Sequence, residues 1–506
     1  MRAETVVVGA GSAGAVIAAR ATEGGRREVL LLEAGPDYPD PLGLPGDLQD
    51  GTRNSMRAHD WGQLHRPWPG SPFLFWFPRG KVVGGSSAVN TCIALRGDPG
   101  DYDEWAAMGL PDWTWEKCLP AFLRLENDLD VRAPWHSQSG PIPIRRPSDD
   151  ELGPWQSAFL AACEAHGFPA CADSNDPDST GAGRHAMNVI DGARMSAARC
   201  YLTPAVRLRP NLRIRPHTLA RRVLVRDRRV VGVEVETHGR VHAIAANRVV
   251  LSAGATSTPG ILLRSGIGPR PSVERLGVDL VRHVPGVGAR LLDHPGAAIF
   301  LRPRTGAYTP GVPFLQTVLR YTSGPTAPRN DMFMQAGSMV PLPFVALPFV
   351  SIMVSVGKAR GQGTIAFASP NPRARPAIES RLFVDDWDRA RAVDALLLAA
   401  DLARSPAMRG LATFFWPSAG TVARRDRLER WMTRVCDSSY HPCGTVPMGP
   451  DGDEGAATDG RGRVRGVEGL VVADASLMPT IPRAHTNLTA LMMGERFGEW
   501  LRDGQL

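Results

Sequence analysis

The chain has 506 residues, a formal net charge of +7 and a sequence pI of about 9.3. A chain of this length favours two domains, or one large elaborated domain, over a single small core. Its hydrophobic fraction of 43% is ordinary for a globular protein and excludes a disordered chain.

The basic residues are nearly all arginines and are scattered, with only short clusters such as residues 221–222 and 228–229. No basic helix and no run of roughly five like charges occurs, so the pattern does not indicate nucleic-acid binding. No stretch of about eighteen apolar residues predicts a membrane span. We therefore expect neither a nucleic-acid partner nor a membrane-spanning helix.

The seven cysteines are widely spaced and form no CxxC pair. This pattern indicates neither a disulfide framework nor a zinc site, and we expect no metal. Free thiols suit a reducing compartment, so we expect a cytoplasmic protein. The sequence begins on a strand pattern without a charged leader, which does not predict a signal peptide.

The first predicted elements are a strand over residues 5–8, a helix over 13–21 and a second strand over 28–32. This order within about thirty residues is typical of a βαβ unit. Residues 36–78 are irregular and rich in Pro, Gly, Trp and Phe. A loop of this length inside a compact domain is usually functional, and we interpret it as a lid or a cofactor cover.

The rest of the chain alternates between strand and helix patterns. Residues 212–252 predict a β-meander, and the short apolar runs of 296–378, including 349–355 and 364–368, predict an antiparallel sheet. Residues 386–404 predict a helix, 469–473 a strand, and 487–501 a closing helix. The segments with a nucleotide-binding pattern lie at the start, middle and end of the chain, which predicts a discontinuous cofactor domain with a second domain inserted.

A dinucleotide fingerprint opens the first helix. Gly9 permits the tight turn, Gly11 lets a pyrophosphate approach the backbone, and Gly14 lets helix and strand pack closely. The segment consists of Gly9, Ala10, Gly11, Ser12, Ala13 and Gly14. The helix N-terminus offers unpaired N–H groups to phosphates.

Glu33 ends the second strand about twenty residues further on, where a carboxylate accepts hydrogen bonds from ribose hydroxyls. The same carboxylate repels a 2′-phosphate, which argues against NADP. The early position of the fingerprint and the long cover loop favour FAD over NAD. A second fingerprint for a nicotinamide cofactor is missing, because residues 266–268 and 286–288 lack the third glycine.

Three further segments resemble the glucose–methanol–choline (GMC) family of FAD-dependent oxidoreductases. The first reads Pro-Arg-Gly-Lys-Val-Val-Gly-Gly-Ser-Ser-Ala-Val-Asn over residues 78–90. The second is Gly-Ala-Thr-Ser-Thr-Pro at 254–259. The third is Tyr-His-Pro-Cys-Gly-Thr-Val-Pro-Met-Gly at 440–449, with later matches at 474–479 and 484–487. These matches follow the family order along nearly the whole chain.

The resemblance implies an α/β fold, in which a Rossmann-like FAD-binding domain carries an inserted α+β substrate domain built on an antiparallel sheet. We expect the FAD-binding domain to comprise residues 1–145, 185–290 and 436–506. The substrate-binding domain would comprise residues 146–184 and 291–435.

The resemblance also implies FAD contacts beyond the fingerprint. These residues are Glu33, Ala34, Val83, Gly84, Gly85, Ser86, Asn90, Thr91, Cys92, Ile93, Ala220, Ala253, Gly254, Asp474, Ala475, Thr486, Asn487 and Leu488. Some family members attach FAD through a histidine at the position of Val89, so we expect non-covalent FAD here. Arg290 stands where the family commonly has Asn.

Alcohol oxidation removes a proton from oxygen and a hydride from carbon, and the hydride can go to flavin N5. Histidine is well suited as the base, and a second donor must hold the developing alkoxide. The family carries a histidine at the position of His441 and His or Asn at that of His485. We therefore interpret His441 as the base and His485 as the partner that positions the substrate oxygen, with the reverse assignment left open. His294 lies in a family segment, and we interpret it as structural.

The sequence leaves the substrate and the electron acceptor open. The acceptor is either O2 or another carrier, which separates an oxidase from a dehydrogenase. Aromatic residues of the cover loop indicate packing or, alternatively, an apolar entrance that favours a primary aromatic or apolar alcohol over a sugar. They are Trp61, Trp68, Phe73, Phe75, Trp76 and Phe77. The alternatives to oxidation are a hydroxynitrile-lyase-like enzyme with structural FAD, and a non-catalytic flavin-binding protein.

Overall fold

The computed structural model describes residues 1–341 and 346–506. Its N-terminal unit consists of the strand Arg2–Val8, the helix Ser12–Ala21 and the strand Val29–Leu32. The two strands pair in parallel, and the second is buried at every position. Continuous apolar runs of this kind are typical of parallel strands covered on both faces. The βαβ unit predicted from the sequence is confirmed.

Seven strands form the sheet that contains this unit. Its order is Leu212–Arg215, Val29–Leu32, Arg2–Val8, Arg240–Leu251, Arg229–Thr237 and Thr218–Arg226, with Leu470–Val472 beside Arg240–Leu251. Thr218–Leu251 form an antiparallel meander, as predicted, but Leu212–Arg215, predicted to belong to it, pairs in parallel with Val29–Leu32. The strand Leu470–Val472 joins the sheet in parallel from the end of the chain. The carboxyl ends of the parallel strands therefore meet at one edge, where ligands bind in open α/β sheets.

The closing helix, Thr486–Arg502, packs directly on the first helix, Ser12–Ala21. A Cβ atom added at Gly494 would lie 2.8 Å from Val16 Cβ, and one added at Gly498 would lie 2.6 Å from Arg20 Cβ. The close approach thus depends on glycine at one-turn spacing in the closing helix. Both helices consequently begin at the same edge of the sheet.

A second sheet has eight strands and lies away from the first. Its strands are Ala412–Trp416, Pro295–Pro303, Val350–Val356, Met332–Gly337, Leu315–Tyr321, Gly181–Arg184 and Ala170–Cys171, with Asp437–Ser438 beside Pro295–Pro303. The helices Pro154–Ala165 and Asp386–Arg404 pack against this sheet and share one apolar core with it. The predicted helix over 386–404 is confirmed. The overall fold class predicted from the sequence is also confirmed.

One strand assignment was wrong. Thr364–Ala366 does not join the large antiparallel sheet, because it pairs with Ala377–Glu379 in a separate four-stranded sheet. That sheet also contains Leu64–Arg66 and Phe75–Trp76 from the long cover loop. Pairing between segments so far apart in sequence leaves no local pattern. Residues 342–345, within the same predicted region, lie outside the described residues.

The remaining elements are short or connect the two sheets. The other strands are Glu126–Asp128, Ile142–Ile144, Val189–Ile190, Ala193–Arg194, Ile267–Gly268, Arg282–His283, Val340–Pro341 and Ala346–Leu347. The other α-helices are Gly46–Gln49, Pro99–Ala107, Trp115–Leu125, Ala197–Tyr201, Pro204–Arg207, Thr258–Arg264, Arg270–Arg275, Ala419–Val422 and Arg425–Met432. Short 3-10 helices lie at Glu23–Gly25, Pro41–Gly43, Gly85–Ala88, Pro111–Trp113 and Ala475–Leu477.

All seven cysteines have free thiols. Among the helices of residues 1–341 and 346–506, none is both long and apolar enough to span a membrane.

Candidate active site

A cavity of about 290 Å³ opens at the carboxyl edge of the seven-stranded sheet. The sequence-predicted residues that line it come from every predicted segment of the chain. They are Gly9, Gly11, Ser12, Ala13, Glu33, Ala34, Gly85, Ser86, Asn90, Thr91, Ile93, Ala220, Ala253, Gly254, His441, Asp474, Ala475, His485, Thr486 and Asn487.

Six predicted residues do not line the cavity. They are Ala10, Gly14, Val83, Gly84, Cys92 and Leu488. Ala10 and Gly84 hold the surrounding loops together, because Gly84 N–H donates to the Ala10 carbonyl at 2.7 Å. Cys92 is buried at a φ of 60°, and its thiol faces the Arg194 guanidinium at 3.4 Å.

The glycine-rich loops form a cradle that side chains would fill. A Cβ atom added at Gly14 would lie 1.9 Å from the Gly9 carbonyl oxygen, which explains the close contact of helix and strand. A Cβ atom added at Gly85 would lie 2.5 Å from Gly11 Cα, so the 78–90 segment packs directly onto the fingerprint loop. An extended pyrophosphate can therefore approach the backbone between these loops.

Glu33 lies buried at the cavity wall. Its carboxylate accepts hydrogen bonds from Ala10 N–H at 3.1 Å and from Gly35 N–H at 2.8 Å. Burial outweighs these bonds and raises the pKa of Glu33 to about 7. A buried carboxylate of this kind fits a ligand that brings hydroxyl donors, such as a ribose.

Asp474 connects the strand ends around the cavity. Its carboxylate accepts from Gly254 N–H at 2.8 Å, from the Thr258 hydroxyl at 2.6 Å and from Ser476 N–H at 2.8 Å. These bonds fix the backbone of Gly254 and Ala475, both of which line the cavity.

Two helix N-termini point at this site. Gly11 caps the first helix and His485 caps the closing helix, and the Ser12 hydroxyl donates to Asn487 Oδ1 at 2.7 Å between them. The unpaired N–H groups and partial positive charge of both termini favour an anionic ligand. Together with the glycine cradle and Glu33, this donor set fits FAD.

His441 and His485 lie side by side at one end of the cavity. Their ring centroids are 4.8 Å apart and the ring planes meet at 80°. Burial, followed by the charges of His485 and His294, holds the pKa of His441 well below its usual range. Burial and the neighbouring His185 and His294 lower the pKa of His485 in the same way. Both imidazoles are therefore neutral near pH 7.

A glutamine on the second sheet holds His485. Gln335 Nε2 lies 3.4 Å from His485 Nε2 and 2.8 Å from His185 Nε2, so the amide donates to both rings. A neutral His485 that accepts at Nε2 carries its proton on Nδ1. Within residues 1–341 and 346–506, that buried Nδ1 has no hydrogen-bond partner. An unpaired buried donor is costly.

Sequence reasoning missed the residues that hold the histidines. Gln335 lies on the eight-stranded sheet, His185 directly follows its strand Gly181–Arg184, and neither stands in a recognisable motif. His294 was interpreted as structural, but its Nδ1 lies 2.9 Å from His441 Nδ1. Arg79 also lines the cavity, where its guanidinium donates to the Tyr440 carbonyl at 2.7 Å.

The aromatic residues of the cover loop differ in where they lie relative to the cavity. Of its six aromatic residues, Trp61 lines the cavity, whereas Phe77 is fully buried and Phe73 is mostly exposed. Lys81 lies over the Trp61 ring at 4.8 Å.

In the described part of the chain, one cluster of three potential metal ligands has the spacing of a metal site. It consists of Glu126, Asp128 and His136. Arginine side chains already fill it, because Arg96 pairs with Glu126 and Arg146 with Asp128. Although burial disfavours the cation, hydrogen bonds to Asp173 and Glu126 raise the pKa of His136 to about 9. The group is an ion-pair network, in which cationic side chains take the place of a metal.

Replacing Glu33 with glutamine should weaken FAD binding by about 10- to 100-fold, because a charge-assisted hydrogen bond contributes about 1.5–3 kcal/mol. The carboxylate must be ionised to accept fully from ribose hydroxyls. With a pKa of about 7 in the cofactor-free protein, the wild type should bind FAD more tightly at about pH 8 than at about pH 6. Titration of the cofactor-free protein with FAD, followed by flavin fluorescence, measures both effects.

Glu28→Gln is the matched control, since Glu28 pairs with Arg213 at the surface, away from the cavity. It should leave affinity and its pH dependence unchanged. An equal affinity for the wild type and E33Q at every pH would contradict the role given to Glu33.

Comparison with known proteins shows which family this chain is similar to. The model described as GMC oxidoreductase matches residues 3–296 with its N-terminal part and residues 359–494 with its C-terminal part. A protein of Rhodococcus erythropolis named as an uncharacterised GMC-type oxidoreductase is 33% identical, over 98% of this chain and 97% of its own length. The 5-(hydroxymethyl)furfural oxidase of Methylovorus sp. is 34% identical, over 98% and 97%. The crystal structure of pyridoxine 4-oxidase from Mesorbium loti has a TM-score of 0.90 at 28% identity, covering 98% of both chains.

Proposed function

This chain belongs to the GMC oxidoreductase family, and from that premise we propose that it is an FAD-dependent enzyme that oxidises a primary alcohol to the carbonyl. The observation that carries the proposal is the pair of neutral imidazoles, His441 and His485, at one end of a cavity that fits FAD. A base and a donor at one point are what removal of a hydroxyl proton requires.

When bound, FAD supplies the acceptor at N5 for the hydride that leaves the alcohol carbon. His441 takes the hydroxyl proton as that hydride departs, so that the C–H and O–H bonds break and the C=O bond forms. We propose that His485, which lines the cavity, donates its N–H to the alcohol oxygen and holds it as negative charge develops. Gln335 keeps the His485 ring in this orientation.

The surroundings of the histidine pair support a flat, apolar substrate. The Phe333 ring lies 5.9 Å from His485, and Ile93 lines the cavity as part of an apolar cluster with Leu315 and Ala484. The two relatives named above as oxidases act, by their names, on 5-(hydroxymethyl)furfural and pyridoxine. Both of these compounds carry a hydroxymethyl group on a flat ring, and we propose an alcohol of that class here.

Mixing the FAD-loaded protein anaerobically with a panel of alcohols tests this function. Primary aromatic alcohols should bleach the visible flavin band, and sugars and secondary alcohols should bleach it more slowly. Admission of air then separates an oxidase, which re-oxidises at once, from a dehydrogenase that needs another acceptor. A hydroxynitrile-lyase-like enzyme would leave the band unchanged with every alcohol and would split a cyanohydrin instead.

Val89 supports non-covalent FAD, because valine offers no nucleophile where some family members carry the attached histidine. Precipitation of the FAD-loaded protein with acid should release all the yellow flavin into the supernatant. A yellow pellet after washing in denaturant would contradict this prediction.

The two large sheets support a division of the chain, with one exception: the strand Asp437–Ser438 pairs with Pro295–Pro303 of the eight-stranded sheet. We propose that residues 1–145, 185–290 and 436–506 bind FAD, and that residues 146–184 and 291–435 bind substrate. The seven free thiols support a reducing compartment such as the cytoplasm.

A further inference from the structure

His294 is fully buried, and it lies between two backbone carbonyl groups of other segments and the ring of His441. Its Nε2 lies 3.0 Å from the Gly357 carbonyl oxygen and 3.0 Å from the Pro482 carbonyl oxygen. Its Nδ1 lies 2.9 Å from His441 Nδ1, and the two rings are nearly perpendicular, at 78°.

These contacts determine which nitrogen of His294 carries the proton. Carbonyl oxygens only accept hydrogen bonds, so Nε2 of His294 must be the N–H donor. A neutral imidazole has one N–H, which leaves Nδ1 of His294 as an acceptor. Among the described residues, the group that Nδ1 of His294 contacts is Nδ1 of His441 at 2.9 Å, so His441 carries its proton there.

The proton on Nδ1 of His441 determines the state of the other ring nitrogen, Nε2. With its proton on Nδ1, a neutral His441 has a free lone pair on Nε2. Within residues 1–341 and 346–506, Nε2 of His441 has no hydrogen-bond partner. The ring lines the cavity, so this lone pair is the group available to a bound alcohol.

We propose that His294 is a positioning residue that fixes the tautomer of His441 and thereby keeps Nε2 bare as the base. This inference rests on the proposed function for the role of His441, but the tautomer itself does not depend on it. His294 touches neither the cavity nor a substrate, and it acts only through the ring of His441.

The neighbouring aspartate secures the same residue through its backbone. Asp293 Oδ1 accepts from His441 N–H at 2.9 Å, and Asp293 Oδ2 accepts from the Ser438 hydroxyl at 2.5 Å. Asp293 therefore holds the main chain of His441, and the next residue, His294, holds its ring. The loop of His441 and the segment of Asp293 and His294 become one rigid unit.

Burial and the surrounding charges keep His294 neutral, so that it can accept the hydrogen bond from His441 Nδ1–H. Burial lowers its pKa to about 4, and the two carbonyl contacts and Asp101 only partly oppose this effect. Lys358 also faces it and disfavours a second positive charge. When His441 holds the alcohol proton, His294 still accepts from Nδ1–H, and the carbonyls behind it strengthen that bond.

The test is the ¹⁵N spectrum of the FAD-loaded, ¹⁵N-histidine-labelled protein, with His441 assigned by comparison with His441→Asn. We expect the Nδ1 of His441 to be protonated and the Nε2 to be bare. His294→Phe keeps a flat ring but removes the acceptor. The unsatisfied Nδ1–H then costs about 1–3 kcal/mol, which shifts the tautomer towards Nε2–H and lowers the rate of flavin reduction about 10- to 100-fold.

His294→Asn is the matched variant, because its amide oxygen can stand where Nδ1 stood. It should retain the Nδ1–H tautomer and most of the reduction rate, with KM unchanged in both variants. A wild-type His441 protonated on Nε2 would overturn the proposal, even if His294→Phe did not fold. The same holds if His294→Phe leaves tautomer and rate unchanged. If His441→Ala did not slow reduction, the proposed function would fail while the tautomer measurement still stood.

Discussion

Replacing His441 with alanine should lower the anaerobic rate of flavin reduction by about 10²- to 10⁴-fold while FAD stays bound. The variant removes the group that takes the hydroxyl proton, and water in the cavity is a poor substitute. The hydrogen bonds described above for the glycine loops and for Glu33 do not involve His441, so the cofactor site should remain intact. Stopped-flow absorbance of the flavin band, with saturating alcohol, measures the rate.

His242→Ala is the matched control, because His242 is exposed on a strand of the seven-stranded sheet, away from the cavity. The wild-type rate should also be flat between about pH 6 and pH 9. Burial, His485, His294 and Arg79 all hold the pKa of His441 below that range, so the base is already deprotonated throughout it. A His441→Ala protein that is reduced as fast as the wild type would refute the assignment.

Replacing His485 with alanine should lower the reduction rate by about 10²- to 10³-fold, the usual effect of removing one oxyanion donor. The loss should appear in the rate constant more than in KM, because the hydrogen bond strengthens as negative charge develops on oxygen. Rapid-reaction measurements over a range of alcohol concentrations separate the two parameters.

His485→Asn serves as the comparison, since an amide N–H can replace the imidazole N–H donor. The flavin in His485→Asn should be reduced at least about tenfold faster than the flavin in His485→Ala. His485 occupies the N-cap position of the closing helix and is buried, so FAD content and the unfolding temperature must be measured for both variants. If His485→Asn is as slow as His485→Ala with FAD fully bound, His485 does not act as a donor.

The parts of the fold that depend on local patterns were predictable from the sequence. The βαβ unit, the helix Asp386–Arg404 and the closing helix have strong periodicity and clear end signals. The glycine fingerprint was predictable from its spacing, although only part of its packing is local. A Cβ atom added at Gly14 would meet the Gly9 carbonyl oxygen, whereas one added at Gly9 would meet the distant Ser252.

Contacts between distant segments were not predictable. His294 meets His441 across 147 positions, and Gln335 meets His485 across 150. The strand Thr364–Ala366 was placed in the wrong sheet because its partners include the cover loop. No local propensity encodes which chain segment completes a sheet or holds a ring.

Arg290 shows how structure explains a departure from the family pattern. Its guanidinium donates to the Pro479 carbonyl at 2.7 Å and to the Gly444 carbonyl at 3.3 Å. It therefore ties the segment of His441 and Gly444 to the later segment of Pro479. A shorter asparagine could not reach both carbonyls from this position.

The most direct test of the central claim is anaerobic mixing of the FAD-loaded protein with a primary aromatic alcohol, unlabelled or deuterated at the carbinol carbon. If the enzyme removes a hydride from that carbon, the flavin band bleaches in a single turnover, the deuterated alcohol bleaches it more slowly, and the aldehyde forms in equal amount. If no alcohol of any class bleaches the band while FAD is fully bound, the protein is not an alcohol oxidoreductase.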